Sequence, residues 1–561
     1  MNGSKRTTIV LGTVGAVLVA SGVGAGIALR GGGGDARTTA TAASATPTPT
    51  PTPTPSLVAG AADPDARVAA RLVATAFLDA WERGDWATMQ AQLDNDGGDM
   101  ARVYGGMAAR LKVDQVVARP LEPTLDGLSV PFQATLTLDG LGEVSWSTAL
   151  KITRTEAGVS TVHFTATAVH PDLAVGQRLD LVASADGRGE VLDREGRSLA
   201  KSPDLVANVV GSFDPATGTA TGLERVLADR LGGDTPSTVA IVDAQTRTIA
   251  RTVKVFPVEA AADGVRTTLD LDVQKAATKA LAGTRAKAAL VAIDVPTGEV
   301  RAVANRPYTG IPPALSGTYP PGSTFKIVTA LAALRTGSTP STSVTCPTTI
   351  TAYGKVFRNH ERAPNRSMSL TEAFADSCNT AFIGLARSLP DGALAATAED
   401  LGFNTVTQPL DVASFGGRYP EPKDGAELAA SAIGQGRVQA SPLQMAGVAA
   451  AIASGTWRQP HVLPCPDCRS TALPEAAKIR PMMRAVVTSG TGTAAAGVPG
   501  GAVYGKTGTA EFGPAEALRN HAWFVGWQGR TAFAVFVEVG SSGGETAAPV
   551  AARFLRTLAA S

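Results

Sequence analysis

At 561 residues and 44% hydrophobic content the chain is too long for one compact core and too apolar to be disordered, so about three domains are the default. Fifty basic residues against 49 acidic leave a formal charge of +1, which removes any electrostatic case for nucleic-acid binding. The five histidines (His163, His170, His360, His461, His521) are scattered and form no H-x-x-x-H or H-x-H pair, which argues against a zinc site.

Thr7 to Leu29 carries no charge, follows Lys5-Arg6 and closes at Arg30. At about 1.5 Å per residue this run can cross a ~30 Å hydrocarbon core. The basic pair on the short side predicts a cytoplasmic tail (1–6), a transmembrane anchor (7–29) and an exported body. The alternative is a cleaved signal peptide; the length of the apolar run and the spacer after it favour the anchor. Residues 30–63 are that spacer, a Gly-rich stretch followed by Thr-Pro repeats from Thr46 to Pro55. Such a linker stays extended, cannot pack a core, and holds the folded part away from the membrane.

Ordered sequence begins near Pro64. Ala66 to Leu93 has helical periodicity, with Val68, Leu72, Phe77, Leu78, Trp81 and Trp86 as the expected core. Val130–Leu138, Glu143–Thr153 and Val159–Ala168 alternate apolar and polar residues, separated by turns at Asp139-Gly and Glu156-Ala-Gly. A helix followed by a meander of strands predicts a small α+β domain over 64–178, with nothing catalytic in it. Residues 179–265 hold charged turns and short strands, among them Arg188–Arg197 and Gly222-Leu-Glu-Arg225, and read as a linker or pedestal.

From Arg266 onward, to residue 561, helices and strands alternate. Leu269–Leu281 reads as a helix, and Ala288–Asp294 with Gly298–Asn305 as a hairpin. Further helices are expected at Leu370–Leu385, Pro442–Ala453 and Ala547–Ala559. Ala502–Thr509, His521–Gln528 and Arg530–Val539 read as strands. The expected result is a sheet flanked by helices, with its site at the helix–sheet junction.

Three short strings in this last part supply the pieces of an acyl-transfer site: Ser323-Thr-Phe-Lys326, Ser377-Cys-Asn379 and Lys506-Thr-Gly508. On a helix, Lys326 shares a face with Ser323, so its amine reaches the hydroxyl. None of the strings is specific alone, since Ser198-Leu-Ala-Lys201 also reads S-x-x-K. That decoy lies among charged turns, whereas Ser323 follows the rigid Tyr319-Pro-Pro-Gly322 turn and precedes the apolar run Ile327–Leu334. Ser323 thus stands at a helix start, where unpaired N–H groups favour negative charge. The bland alternatives are a capping serine beside a surface lysine, a turn cap at Asn379, and an ordinary strand end at Lys506–Gly508.

The order and separation of the three strings resemble the transpeptidase domain of penicillin-binding proteins. Gly434-Gln-Gly436 before Ser441-Pro-Leu-Gln-Met445, Gly492-Thr-Ala-Ala495, Thr509-Ala-Glu511 and Ala522-Trp-Phe-Val-Gly526 add to the likeness. Arg188-Gly, Leu192-Asp-Arg, Gly196 and Gly222-Leu-Glu resemble the pedestal of class B members. The Phe77–Trp86 helix and His170-Pro-Asp-Leu173 resemble the N-terminal domain of the low-affinity, methicillin-resistance type. The implied fold is a multidomain α+β and α/β protein: single membrane helix, small α+β domain, pedestal (179–265) and serine β-lactamase-like transpeptidase domain (266–561).

The resemblance implies a peptidoglycan D,D-transpeptidase without a cofactor. Lys326 would deprotonate Ser323, which attacks the penultimate D-alanine carbonyl of a stem peptide. Ser377 would relay the proton to the departing D-alanine, Asn379 would hold the substrate amide, and Lys506 and Thr507 would bind its terminal carboxylate. Gly508 would let the substrate lie along the strand, and the N–H groups of Ser323 and Thr509 would form the oxyanion hole. The implied partners are stem peptides ending in D-Ala-D-Ala, β-lactams, the cell membrane, a separate glycosyltransferase and division or elongation proteins. Gly434-Gln-Gly436 reads equally as structural or substrate-contacting; Trp523 and Phe524 read as core. Four cysteines in an exported protein are either two disulfides, Cys465 with Cys468 and Cys346 with Cys378, or buried thiols. Rival readings are a serine β-lactamase and a non-catalytic β-lactam sensor or division scaffold.

Overall fold

A computed structural model describes residues 64–560 apart from 184–186, 233–235, 258–262, 360–364, 406–411 and 413. The expected tail, anchor and linker (1–63) and His360 lie outside the described residues. Among the described residues no helix is long and apolar enough to cross a membrane.

The first helix, Pro64–Glu82, packs on a four-stranded antiparallel meander of Val113–Pro120, Ser129–Leu138, Gly142–Arg154 and Ser160–His163. Its buried face is Ala66, Ala70, Ala74, Phe77, Leu78 and Trp81. That stripe of alanines places Val68 and Leu72 on the opposite face, 60% and 66% exposed, so the expectation that both are core is corrected. The helix also stops short of Leu93. Gly84 turns the chain at φ 68°, and Asp85 caps a new helix, Trp86–Ala91, by accepting from Thr88 N–H at 3.0 Å. Trp86 is consequently half-buried at the core's edge. The strand Val113–Pro120 was not expected, because Val116-Val117 interrupts the alternation and both are only half-buried. The last strand ends at His163, and Ala166–Ala168 is a single 3₁₀ turn.

A three-stranded sheet follows, in which Pro236–Asp243 pairs with Gln177–Ala183 on one side and Ile249–Val255 on the other. Leu179, Val239 and Ile241 join the core of the preceding meander, so the two sheets share apolar packing. The pedestal segment, residues 188–231, buries Leu199, Leu205, Leu223 and Leu231 in an apolar core, and ion pairs brace it. Arg188 Nε donates to Glu224 Oε2 at 3.1 Å, and the fully buried Asp193 accepts from Arg197 and Glu195 backbone N–H at 2.8 and 2.9 Å. Asp204 joins it to the last part of the chain, accepting from Gln274 Nε2 at 2.6 Å and Thr278 Oγ1 at 2.5 Å.

The last part is built on a five-stranded antiparallel sheet in the order Val300–Arg306, Ala288–Asp294, Thr531–Gly540, Arg519–Gln528 and Val503–Phe512. Ala288–Asp294 is buried at every position, which explains its unbroken apolar run. Helices Leu271–Leu281 and Ala548–Ala559 cover one face, and the buried helix Pro442–Ser454 packs on the other. Val503–Phe512 is an edge strand, and the helices carrying the other two motifs stand beside it.

Candidate active site

Each motif sits on a differently built support. Ser323 lies in a 3₁₀ turn, Gly322–Phe325, that runs directly into the buried helix Lys326–Arg335. Two close approaches press this turn into place. Gly322 N–H donates to Gly434 O at 2.9 Å, and a Cβ on Gly434, at φ 70°, would stand 2.1 Å from Gly322 O. Trp523 Nε1 donates to Pro320 O at 3.1 Å from the sheet. Gly434 is therefore structural. Gly508 has an intramolecular reason too, since its Cβ would lie 2.9 Å from Pro321 O and 2.8 Å from Thr324 Cγ2.

The expected helix Leu370–Leu385 is two helices, Leu370–Ala375 and Asn379–Arg387, because the second motif breaks it. Ser377 takes φ 58°, a left-handed conformation that reverses the chain and turns its hydroxyl toward both lysines. Cys378 caps the second helix and is joined to Cys346 in a disulfide. Asn379 Nδ2 donates to Arg358 O at 3.1 Å, and Thr380 N–H to Asn359 Oδ1 at 3.0 Å. The motif is thus tied three ways to the segment 346–359. The second disulfide, Cys465–Cys468, closes a surface turn away from these groups.

The groups converge on two amines. Lys326 Nζ lies 3.0 Å from Ser323 Oγ, 2.7 Å from Asn379 Oδ1, 2.6 Å from Ser377 O and 3.3 Å from Ser377 Oγ. Lys506 Nζ lies 2.9 Å from the same Ser377 hydroxyl and 3.0 Å from Thr507 O. Both lysines are completely buried, and among the described residues neither pairs with a carboxylate. Burial, and then the like charge of Lys506, holds the Lys326 amine well below its usual range. Burial alone brings Lys506 down to about 7. A neutral Lys326 can accept the Ser323 proton, and Ser377 connects that amine to the second one. The arrangement can generate a serine nucleophile and return a proton to a leaving group.

Thr507 Oγ1 lies 2.5 Å from Thr491 Oγ1, and Thr509 Oγ1 accepts from Gly543 N–H at 3.2 Å. Thr491 and Asn359 carry no signal in the sequence: one precedes a motif string by a single residue, and the other directly follows the short strand Lys355–Arg358 with no pattern of its own. Trp523 and Phe524 are fully buried. The decoy Ser198 accepts from Ala200 N–H as a turn cap, Lys201 is exposed, and no hydrogen bond joins the pair. Among the described residues, no group of three or more His, Cys, Asp or Glu is gathered as if to hold a metal ion.

Residues 288–556 match the penicillin-binding protein transpeptidase domain, and residues 69–177 match the NTF2-like N-terminal transpeptidase domain. The peptidoglycan D,D-transpeptidase PbpA of Mycolicibacterium smegmatis is 37% identical over 268 residues, 42% of this chain and 54% of that protein. The chain therefore spans about half the length of the PbpA relatives that it matches. The peptidoglycan D,D-transpeptidase MrdA of Acinetobacter baumannii is 28% identical over 441 residues, 66% of this chain and 63% of that protein. Among solved structures, the penicillin G acyl-enzyme complex of penicillin-binding protein A from M. tuberculosis superimposes with a TM-score of 0.55 at 27% identity, covering 66% of this chain and 99% of that one.

Proposed function

We propose that this chain, a class B penicillin-binding protein by its transpeptidase and NTF2-like domains, is a peptidoglycan D,D-transpeptidase covalently inhibited by β-lactams. The observation that carries the reading is the convergence of two buried, carboxylate-free amines on Ser323 and Ser377. Lys326 takes the Ser323 proton, and Ser323 Oγ attacks the penultimate D-alanine carbonyl. The backbone N–H groups of Ser323 and Thr509 hold the oxyanion; such donors are worth about 10²–10³-fold each. Ser377, fed by Lys326 and Lys506, protonates the departing D-alanine. Asn379, with one N–H on Arg358 O, keeps its second N–H for the substrate amide. Lys506 and Thr507 take the terminal carboxylate, whose charge pulls the Lys506 amine back toward protonation. The amine of a second stem peptide then resolves the acyl-enzyme. Among the described residues no carboxylate hydrogen-bonds Ser323 or Lys326, which favours transfer to an amine over activation of water.

The same reading extends to the rest of the chain. Residues 7–29 anchor it by one membrane pass with the tail inside, 30–63 act as the spacer, and 64–178 and 179–265 form the N-terminal and pedestal domains. The transpeptidase domain (266–561) works outside the membrane on strands polymerised by a separate glycosyltransferase, alongside division or elongation proteins. The test is incubation with a pentapeptide donor and an amine acceptor stem. Release of one D-alanine per cross-linked dimer, absent in Ser323→Ala, supports the assignment. Rapid turnover of nitrocefin without dimer formation would replace it with a β-lactamase, and neither activity would leave a scaffold.

A further inference from the structure

The hydroxyl of Thr507 faces a second hydroxyl, and that neighbour decides what Thr507 can donate. Thr491 Oγ1 stands 2.5 Å away, in the turn between helix Ala476–Thr488 and strand Val503–Phe512. Thr491 N–H donates to Ala375 O at 3.2 Å, and its hydroxyl lies 3.4 Å from the same oxygen. Ala375 ends the helix that leads into Ser377, so Thr491 touches two of the three motif-bearing segments. The turn has no slack. A Cβ on Gly490 would lie 2.4 Å from Ala375 O, and one on Gly544 would lie 2.4 Å from Thr491 O. The Thr491 backbone is thus held in place on both sides.

We propose that Thr491 is a positioning residue for carboxylate recognition: its hydroxyl donates to Thr507, which commits the single Thr507 proton to the carboxylate of the ligand. The inference rests on the reading of Thr507 as a carboxylate-binding residue. A hydroxyl has one proton and two acceptor sites. If Thr491 gave its proton to Ala375 O, Thr507 would have to donate backwards and would meet a carboxylate with lone pairs. Either hydroxyl can donate across the 2.5 Å contact; once a carboxylate accepts the Thr507 proton, Thr491 must supply that bond, and it gives up only the weak 3.4 Å contact with Ala375 O. Thr509, two residues on and on the same side of the strand, is set alike: Gly543 N–H donates to its hydroxyl at 3.2 Å, which leaves its proton free. Both threonines therefore present a donor where a carboxylate would sit.

The test is the second-order acylation rate with benzylpenicillin and with its methyl ester, which lacks the carboxylate. Thr491→Val keeps the shape and removes the donor. It should slow benzylpenicillin about 10-fold or more and the ester less than about two-fold, since a hydrogen bond to a charged group is what is lost. Thr491→Ser should restore the benzylpenicillin rate. Thr507→Val should show the same carboxylate-specific loss, with little added by Thr491→Val in the double variant. Equal slowing of both ligands, no slowing of either, or additive losses in the double variant would overturn the proposal. Should wild-type protein acylate with neither ligand at Ser323, the proposed function itself fails, and this inference fails with it.

Discussion

Replacing Lys506 with methionine should abolish acylation and yet make the transpeptidase domain more stable. The side chain is completely buried, and burial lowers its amine from 10.5 to about 7. Between those two values the unfolded chain holds a proton that the folded chain has released, so stability rises with pH across that window and is lost as pH falls toward 7. At pH 7, where the folded amine is about half protonated, this costs about 4 kcal/mol of stability. Methionine removes that cost. It also gives up the hydrogen bonds to Ser377 Oγ at 2.9 Å and Thr507 O at 3.0 Å. Those are worth about 1 kcal/mol each, which leaves a net gain of about 2 kcal/mol. For a domain of this size the Tm should rise by about 4 °C. The assay is calorimetry at pH 7 and pH 9.5, following the transition that a bound β-lactam shifts. The advantage of the variant should vanish at the higher pH, where wild-type Lys506 is mostly neutral in the fold. A variant that melts below wild type at pH 7, or a gap that does not change with pH, would refute the reasoning.

Three further outcomes are expected. Gly434→Ala should cut β-lactam acylation at least about 10-fold, because its Cβ would enter Gly322 O at 2.1 Å and displace the Ser323 turn; acylation kinetics beside a thermal melt check this. Cys346→Ser should lower domain stability by about 3–4 kcal/mol from the loop closed at a sequence separation of 32 and slow acylation by freeing the Ser377 turn; calorimetry and acylation rates measure both. The acylation rate should climb as Lys326 loses its proton well below pH 10.5 and fall above about 7 as Lys506 does, so a flat profile from pH 6 to 9 would contradict the assigned protonation states.

Legibility in the sequence followed how local each cause was. The hairpin Ala288–Asp294 with Val300–Arg306 and the strand Val503–Phe512 could be read because apolar runs and turn residues are local signals. In the first helix Phe77, Leu78 and Trp81 were legible as core, but its first half was not, because alanines, not Val68 and Leu72, face the sheet there. Hydrophobicity ranks the larger side chain higher, and only the partner surface reveals which face is covered. The break at Ser377 was hidden because the left-handed residue that ends the first helix, with Cys378 N–H on Ala373 O and Ser377 N–H on Phe374 O, is a serine inside an apolar stretch and not the glycine that usually signals such a cap. The motif strings were legible because chemistry restricts their residue types. Thr491 was not, because a threonine that orients another hydroxyl looks like any other until Thr507 stands beside it.

The most direct measurement is the intact mass of the full chain in detergent after brief exposure to benzylpenicillin and dilution, with peptide mapping of any adduct. The expected result is one persistent adduct, placed on Ser323 and absent from Ser323→Ala. An adduct on another residue, one that survives Ser323→Ala, or one that is released with drug turnover would contradict the central claim.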